Sequence, residues 1–210
     1  MSRFFNPDSP VMSFLSDALD FIVLNLIAVV CALPVVTAGA SFSALAGVMT
    51  AYTLEKSPIR VKDFFVRFRA VFLRATVSWL ILLALAALFF TNLRIAENMP
   101  STLRLITVSG LLFFALCLSL TSVMLFPKLS FTEEKRLPTL WKNAFLLGIA
   151  KLPRTLPMAV IQAIPVLMAI FAPQIFLLLS PVWLVIWFSL AAFLCAKIGG
   201  RWYTAELTPR

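Results

Sequence analysis

The stretch CALPVVTAGASFSAL, residues 31–45, lies in the middle of a run without charged residues that extends from Phe21 to Leu54. A membrane-spanning helix needs only about 20 apolar residues, so this run is too long for a single span. Pro34 lacks the backbone N–H that a helix interior needs, and Gly39 permits a sharp change of backbone direction. We therefore expect one helix over about 18–35, a break, and a second helix over about 41–55 that Ser41 caps.

Three further charge-free runs cover residues 75–93, 105–127 and 155–196. The chain is 61% hydrophobic and 13% charged, whereas soluble domains average roughly 45–50% apolar and about 25% charged residues. The runs are continuous rather than alternating, which excludes a membrane β-barrel. Pro173 divides the last run into spans of about 155–172 and 175–196. The sequence thus predicts an all-α, polytopic transmembrane helical bundle of six helical membrane segments, of which 41–55 is short.

Two segments that mix basic and aromatic residues, 55–75 and 128–154, separate these runs. Phenylalanines at helical spacing among cations are typical of an amphipathic helix that lies in the membrane interface. We expect two such helices, at 60–74 and 136–154, and an aromatic anchor in the C-terminal tail. A dedicated site for an anionic ligand is the alternative, and the flanking spans argue against nucleic acid. The predicted interface residues are Arg60, Lys62, Phe64, Phe65, Arg67, Phe68, Arg69, Phe72, Trp141 and Trp202.

The distribution of Lys and Arg predicts the orientation. Segments 55–74 and 128–154 contain six each, whereas the loop 94–104 contains two. Basic loops lie on the cytoplasmic side of membrane proteins, so we expect both segments and the C-terminus to be cytoplasmic. If 41–55 crosses fully, there are six spans and a cytoplasmic N-terminus; if not, there are five and the N-terminus is outside. Residues 1–210 form one membrane domain, with a weak two-part plan, 1–93 and 94–210, that rests on the similar basic segments.

Groups that carry catalysis are scarce in this sequence. There is no histidine, every Asp and Glu lies outside the span cores, and the three cysteines form no metal-binding pair. No phosphate-binding loop of the Walker A or GxGxxG type occurs. General acid–base and metal chemistry depend on such residues, so we expect a non-enzymatic protein without a cofactor.

Small residues recur every fourth position from the predicted break into the predicted second helix: Gly39, Ser43, Gly47 and Ala51. Such a series lets helix backbones approach closely. The same series, together with the amide of Asn25, would suit a path for a small neutral solute. Helix packing and a solute path both remain open at this point.

The stretches LDFIVLNLIAVVCALPVVTAGASFSAL and VKDFFVRFRAVFLRAT resemble the YesL-like family of bacterial multi-pass membrane proteins, which carry a domain of unknown function. The clearest likeness is the pattern L-P-V-x-T-x-G-A-S-x-x-A-L, matched from Leu33 to Leu45. The resemblance implies the bacterial plasma (inner) membrane and genes that often lie beside carbohydrate-uptake systems; it implies no catalytic residues. We therefore expect an accessory or regulatory component of carbohydrate uptake that contacts the lipid bilayer and sugar ABC transporter subunits. A facilitator for a small neutral solute is the alternative.

Overall fold

The computed structural model describes residues 10–132, 134 and 136–204, and in these ranges all regular secondary structure is helical. A single 3₁₀ turn, Val35–Thr37, and a π-helical segment, Trp183–Trp187, interrupt the α-helices of this part of the chain. The α-helices are α1 (Pro10–Ala32), α2 (Ala38–Glu55), α3 (Val61–Ala96), α4 (Ser101–Leu129), α5 (Leu137–Ala150), α6 (Leu152–Phe171), α7 (Pro173–Leu178), α8 (Ser180–Val182) and α9 (Phe188–Tyr203).

Six helical stretches are long and apolar enough to cross a bilayer, which confirms the predicted fold class and makes this a multi-pass membrane protein. The expected span 175–196 differs in detail, because α7 ends at Leu178 and a separate stretch begins at Ser180. The six stretches are Leu15–Ala32, Val35–Glu55, Val61–Ala96, Ser101–Leu129, Leu152–Phe171 and Ser180–Tyr203.

The break after α1 occurs where Pro34 predicts it. α1 ends at Ala32, because the next residue, Leu33, precedes Pro34 and a residue before proline disfavours helical backbone. The hydroxyl of Thr37 then donates to the carbonyls of Cys31 and Pro34, at 2.6 and 2.8 Å, and holds the turn together. α2 begins at Ala38, so the prediction that Ser41 caps it is wrong; Ser41 instead donates to the carbonyl of Ala28 on α1, at 2.6 Å.

α2 lies at the centre of the bundle and packs against α1, α3, α4 and α9. Its side chains Leu45, Val48 and Met49 form an apolar cluster with Leu24 of α1 and Phe64 of α3. A second cluster joins α3, α4, α5, α6 and α9. Burial of apolar side chains between these helices is the main packing contribution within the described bundle.

α3 corrects one expectation about the basic segments. The predicted interfacial helix at 60–74 and the predicted span at 75–93 form one continuous helix. Residues 61–96 contain no proline or glycine that would interrupt it. Phe64, expected in the acyl boundary, is fully buried in the protein. The second basic segment does form a separate helix, α5, which ends at Ala150; Lys151 separates it from α6, which begins at Leu152 with Pro153 in its first turn.

The distal halves of α3 and α4 are little buried by the rest of the described bundle. Between residues 80 and 119, which we call the arm, Ala96 is the one described side chain that is buried. Large apolar side chains such as Leu88, Leu105 and Phe113 are more than half exposed there. The arm therefore presents apolar surface on both of its helices.

Candidate functional site

Asn25 is fully buried and joins α1 to the last span. Its side-chain nitrogen donates to the carbonyl of Leu184 at 2.6 Å, and its side-chain oxygen accepts from the backbone N–H of Ser189 at 2.8 Å. Leu184 and Ser189 are five residues apart, on either side of the end of the π-helical segment. In a regular π-helix the backbone N–H of Ser189 would therefore donate to the carbonyl of Leu184. The amide of Asn25 is inserted between these two groups and satisfies both.

The small-residue series lies on the buried faces of α2. A Cβ atom added to Gly39 would lie 2.5 Å from Trp79 Cβ and 2.7 Å from the carbonyl oxygen of Ala75, so α2 and α3 are in close backbone contact there. Gly39 has no left-handed backbone conformation, and the expectation that it forms the turn is wrong. Its small size is needed for helix packing.

Ser43 and Gly47 contact the end of α4. The hydroxyl of Ser43 donates to the carbonyl of Phe126, and the hydroxyl of Ser130 donates to the carbonyl of Ser43, both at 2.6 Å. A Cβ atom on Gly47 would lie 2.7 Å from Ser130 Oγ and 3.1 Å from Arg67 Cδ. Ala51, the last member, is also buried in α2.

Two arginines of α3 hold the connection between α4 and α5. Arg67 is partly buried, donates to the carbonyl of Ser130 at 3.3 Å, and places its guanidinium 4.9 Å from the centre of the Phe131 ring. Arg74 donates to the carbonyls of Thr132 and Glu134 at 3.0 and 2.7 Å. These cations were expected to face lipid headgroups, and in the structure each bonds protein carbonyls.

The other predicted interface residues divide into exposed and packed side chains. Phe68 packs partly buried against both apolar clusters, and Trp141 donates to Ser78 Oγ at 3.3 Å. The exposed members, which are free to meet headgroups, are Arg60, Lys62, Phe65, Arg69 and Phe72.

Trp202 lies at a groove of about 430 Å³ between the end of α2, the start of α6 and the end of α9. Arg154, Lys197 and Arg201 line this groove, which we call the basic groove. The guanidinium of Arg154 lies 4.6 Å and the ammonium of Lys151 5.7 Å from the centre of the Trp202 ring. The sequence predicts Trp202 as an anchor but does not place Lys151 and Arg154 beside it, because these two residues precede it by about 50 positions and meet it only after the helices pack.

Comparison with curated proteins and with solved structures gives no match to this chain. A family model does match, over α1 from Phe21 onward, the 3₁₀ turn, α2 and most of α3. This matched segment contains Asn25, the whole small-residue series and the basic half of α3. Residues 21–93 are accordingly similar to the family described as "Protein of unknown function, DUF624".

Proposed function

We propose that this chain is a non-enzymatic accessory or regulatory subunit in the bacterial plasma membrane, and that it holds a transporter subunit for carbohydrate uptake. The observation that carries the proposal is the arm, residues 80–119, whose two apolar helices have one buried side chain among the described residues. Contiguous apolar surface of this kind marks sites of interaction with a membrane or another protein.

Gly110 on the arm supports a protein partner in addition to lipid. A Cβ atom added to Gly39, Gly47 or Gly148 would meet an atom of a neighbouring helix at 3.2 Å or less, so these glycines permit close helix packing. A Cβ atom on Gly110 would meet nothing within 4 Å. Small residues in membrane helices are enriched where a second helix packs, and at Gly110 that helix is not among the described ones.

The carbohydrate part of the proposal rests on the resemblance to the YesL-like family. The accessory part is favoured over a facilitator by the contacts of the candidate solute-path residues. Both polar atoms of the Asn25 amide are bonded to backbone groups, and Gly39 and Gly47 face Trp79 and Ser130 at close range. A solute would have to displace these contacts before it could use the same residues.

Co-purification from membranes of the source bacterium tests the proposal. The tagged protein, extracted in mild detergent from cells grown on different sugars, is expected to retain sugar ABC transporter subunits. Gly110→Leu fills the open side of the arm and should reduce recovery of the partner by about tenfold, equivalent to about 1.4 kcal/mol.

The matched control is Ala169→Leu, which adds a similar side chain at an exposed position of α6. It should leave recovery unchanged. Equal recovery with both variants, or recovery of no transporter subunit from wild-type cells, would contradict the accessory function. Sugar flux in proteoliposomes containing this protein alone would favour the facilitator.

A further inference from the structure

The basic groove concentrates positive charge at one end of the bundle. Arg154 comes from the first turn of α6, while Lys197 and Arg201 come from successive turns of α9. Lys151, just before α6, is a fourth cation and lies 5.7 Å from the centre of the Trp202 ring. All four side chains are exposed, so their charged ends are accessible to a ligand.

Three of these cations, Lys151, Arg154 and Lys197, lie over aromatic rings, and none of the four has a described acidic partner. Within the described ranges, the one ion pair joins Arg94 to Glu97 in the arm, far along the chain from the groove. Lys151 and Arg154 lie over Trp202, and Lys197 lies 4.6 Å from the centre of the Phe193 ring. Cation–π contacts orient a guanidinium or ammonium group without neutralising its charge.

Two partly buried cations of the bundle behave differently. Arg67 and Arg74 use their N–H groups on backbone carbonyls of the α4–α5 connection. Arg154 lies against a ring through its carbon centre, which leaves the N–H edge of its guanidinium available. That edge matches the oxygens of a phosphate group and binds them by two parallel hydrogen bonds.

The groove also has the size of a ligand site. Its volume of about 430 Å³ falls within the roughly 300–1,000 Å³ of typical small-molecule pockets. Thr53 and Leu54 of α2 form the opposite wall. The hydroxyl of Thr53 is already bonded to the carbonyl of Met49 at 2.7 Å, so the cations supply the recognition.

From these observations we infer that the basic groove binds a phosphate monoester, carried either by an anionic lipid headgroup or by a small soluble metabolite. Arg154 and Arg201 bind the phosphate oxygens, Lys151 and Lys197 add long-range attraction, and Trp202 orients Arg154. Binding here is separate from partner docking on the arm, because the groove is built from α2, α6 and α9 and the arm from α3 and α4.

The test uses the full chain in phosphatidylcholine nanodiscs. In the first measurement, radiolabelled glucose 6-phosphate is titrated in solution. In the second measurement, the nanodiscs contain a minor fraction of phosphatidic acid, and the lipid retained after mild delipidation is counted by native mass spectrometry. Binding of glucose 6-phosphate identifies a soluble ligand, and selective retention of phosphatidic acid identifies a lipid headgroup; either result supports the inference.

Variants then assign the binding to the groove. Arg154→Gln and Arg201→Gln are each expected to weaken binding by about tenfold, since each removes a charged hydrogen-bond donor. Trp202→Leu keeps every charge and should weaken binding by about threefold through loss of orientation. Arg104→Gln, at an exposed position of α4, is the matched control and should change binding by less than about twofold, because it removes the same charge outside the groove.

Two outcomes would overturn the inference. One is absence of binding to both probes. The other is equal weakening by Arg104→Gln and Arg154→Gln, which would mean that diffuse surface charge is responsible. Because Arg154 and Arg201 lie on different helices, a folding defect in one variant leaves the other to decide.

Discussion

Replacing Asn25 by alanine removes both hydrogen bonds that join α1 to the last span. The backbone N–H of Ser189 and the carbonyl of Leu184 then lose their partner inside the bundle. Hydrogen bonds between membrane helices contribute about 0.6 kcal/mol on average and up to about 1.7 kcal/mol. Two such bonds predict a loss of about 1–3 kcal/mol in the free energy of unfolding.

The lower end of that range corresponds to repair of the helix. Without the amide of Asn25 between them, Ser189 N–H and Leu184 C=O are in register to bond each other across five residues. This repair would recover one interaction but would not restore the link to α1. We expect a net loss of about 2 kcal/mol, which shifts the unfolding equilibrium by about 30-fold.

The assay is reversible unfolding in mixed micelles with increasing SDS, followed by circular dichroism. Asn92→Ala is the matched control, because Asn92 is exposed on α3 and donates to Leu88 of its own helix at 2.7 Å. It should cost less than about 0.5 kcal/mol. Equal and small losses for Asn25→Ala and Asn92→Ala would refute the reasoning that the inserted amide stabilises the bundle.

Three further predictions concern helix contact, the α4–α5 connection and topology. Gly39→Ala should lower stability by about 1–3 kcal/mol, because its Cβ atom would overlap α3, whereas Gly110→Ala should be neutral or slightly stabilising in detergent. Arg74→Gln removes two bonds to the connection and should increase the rate of trypsin cleavage between residues 130 and 137 by about tenfold. In a background without native cysteines, Asn98→Cys should react with an impermeant reagent from outside the cell, and Ser57→Cys only after permeabilisation, because α3 crosses the membrane between them.

Each of these predictions has an outcome that contradicts it. Equal stability of the Gly39 and Gly110 variants in thermal unfolding would mean that α2 and α3 have room for a methyl group. Arg69→Gln is the control for proteolysis, since this arginine is exposed; the same cleavage rate in both variants would remove the proposed role of Arg74. Labelling of Ser57→Cys in intact cells would reverse the predicted orientation.

The number and position of the apolar helices were predictable from the sequence, because both depend on local composition. Charge-free runs longer than a bilayer crossing identified the membrane segments, and Pro34 identified the end of α1. The continuity of α3 was less accessible. Its basic half has the composition of an interfacial helix, and only contacts with α1 and α2 show that residues such as Phe64 are inside the bundle.

The contacts of the candidate residues could not be predicted from the sequence. Asn25 bonds to residues about 160 positions away, and the π-helical segment that receives it has no distinctive local composition. The basic groove likewise depends on three helices whose approach is set by packing. Gly39 illustrates the same limit, since glycine suits both a turn and a helix contact, and the structure selects the contact.

The packing of α2 on α3 has a consequence for how lipid meets this protein. Gly39 lies beside Ala75 and Trp79, and Gly47 lies beside Arg67. α2 therefore runs antiparallel along the basic half of α3. The uncharged half of α3 begins at the level where α2 begins. The 36 residues of α3 measure about 54 Å at 1.5 Å per residue. To fit within a hydrocarbon layer of about 30 Å, α3 would have to tilt by about 56°, beyond the roughly 0–40° seen for membrane helices. A flat bilayer therefore cannot enclose α2 and the whole of the arm at one depth. The uncharged residues 75–93 by themselves measure about 28 Å, so the mismatch falls on the basic half of α3 and on the part of α2 beside it.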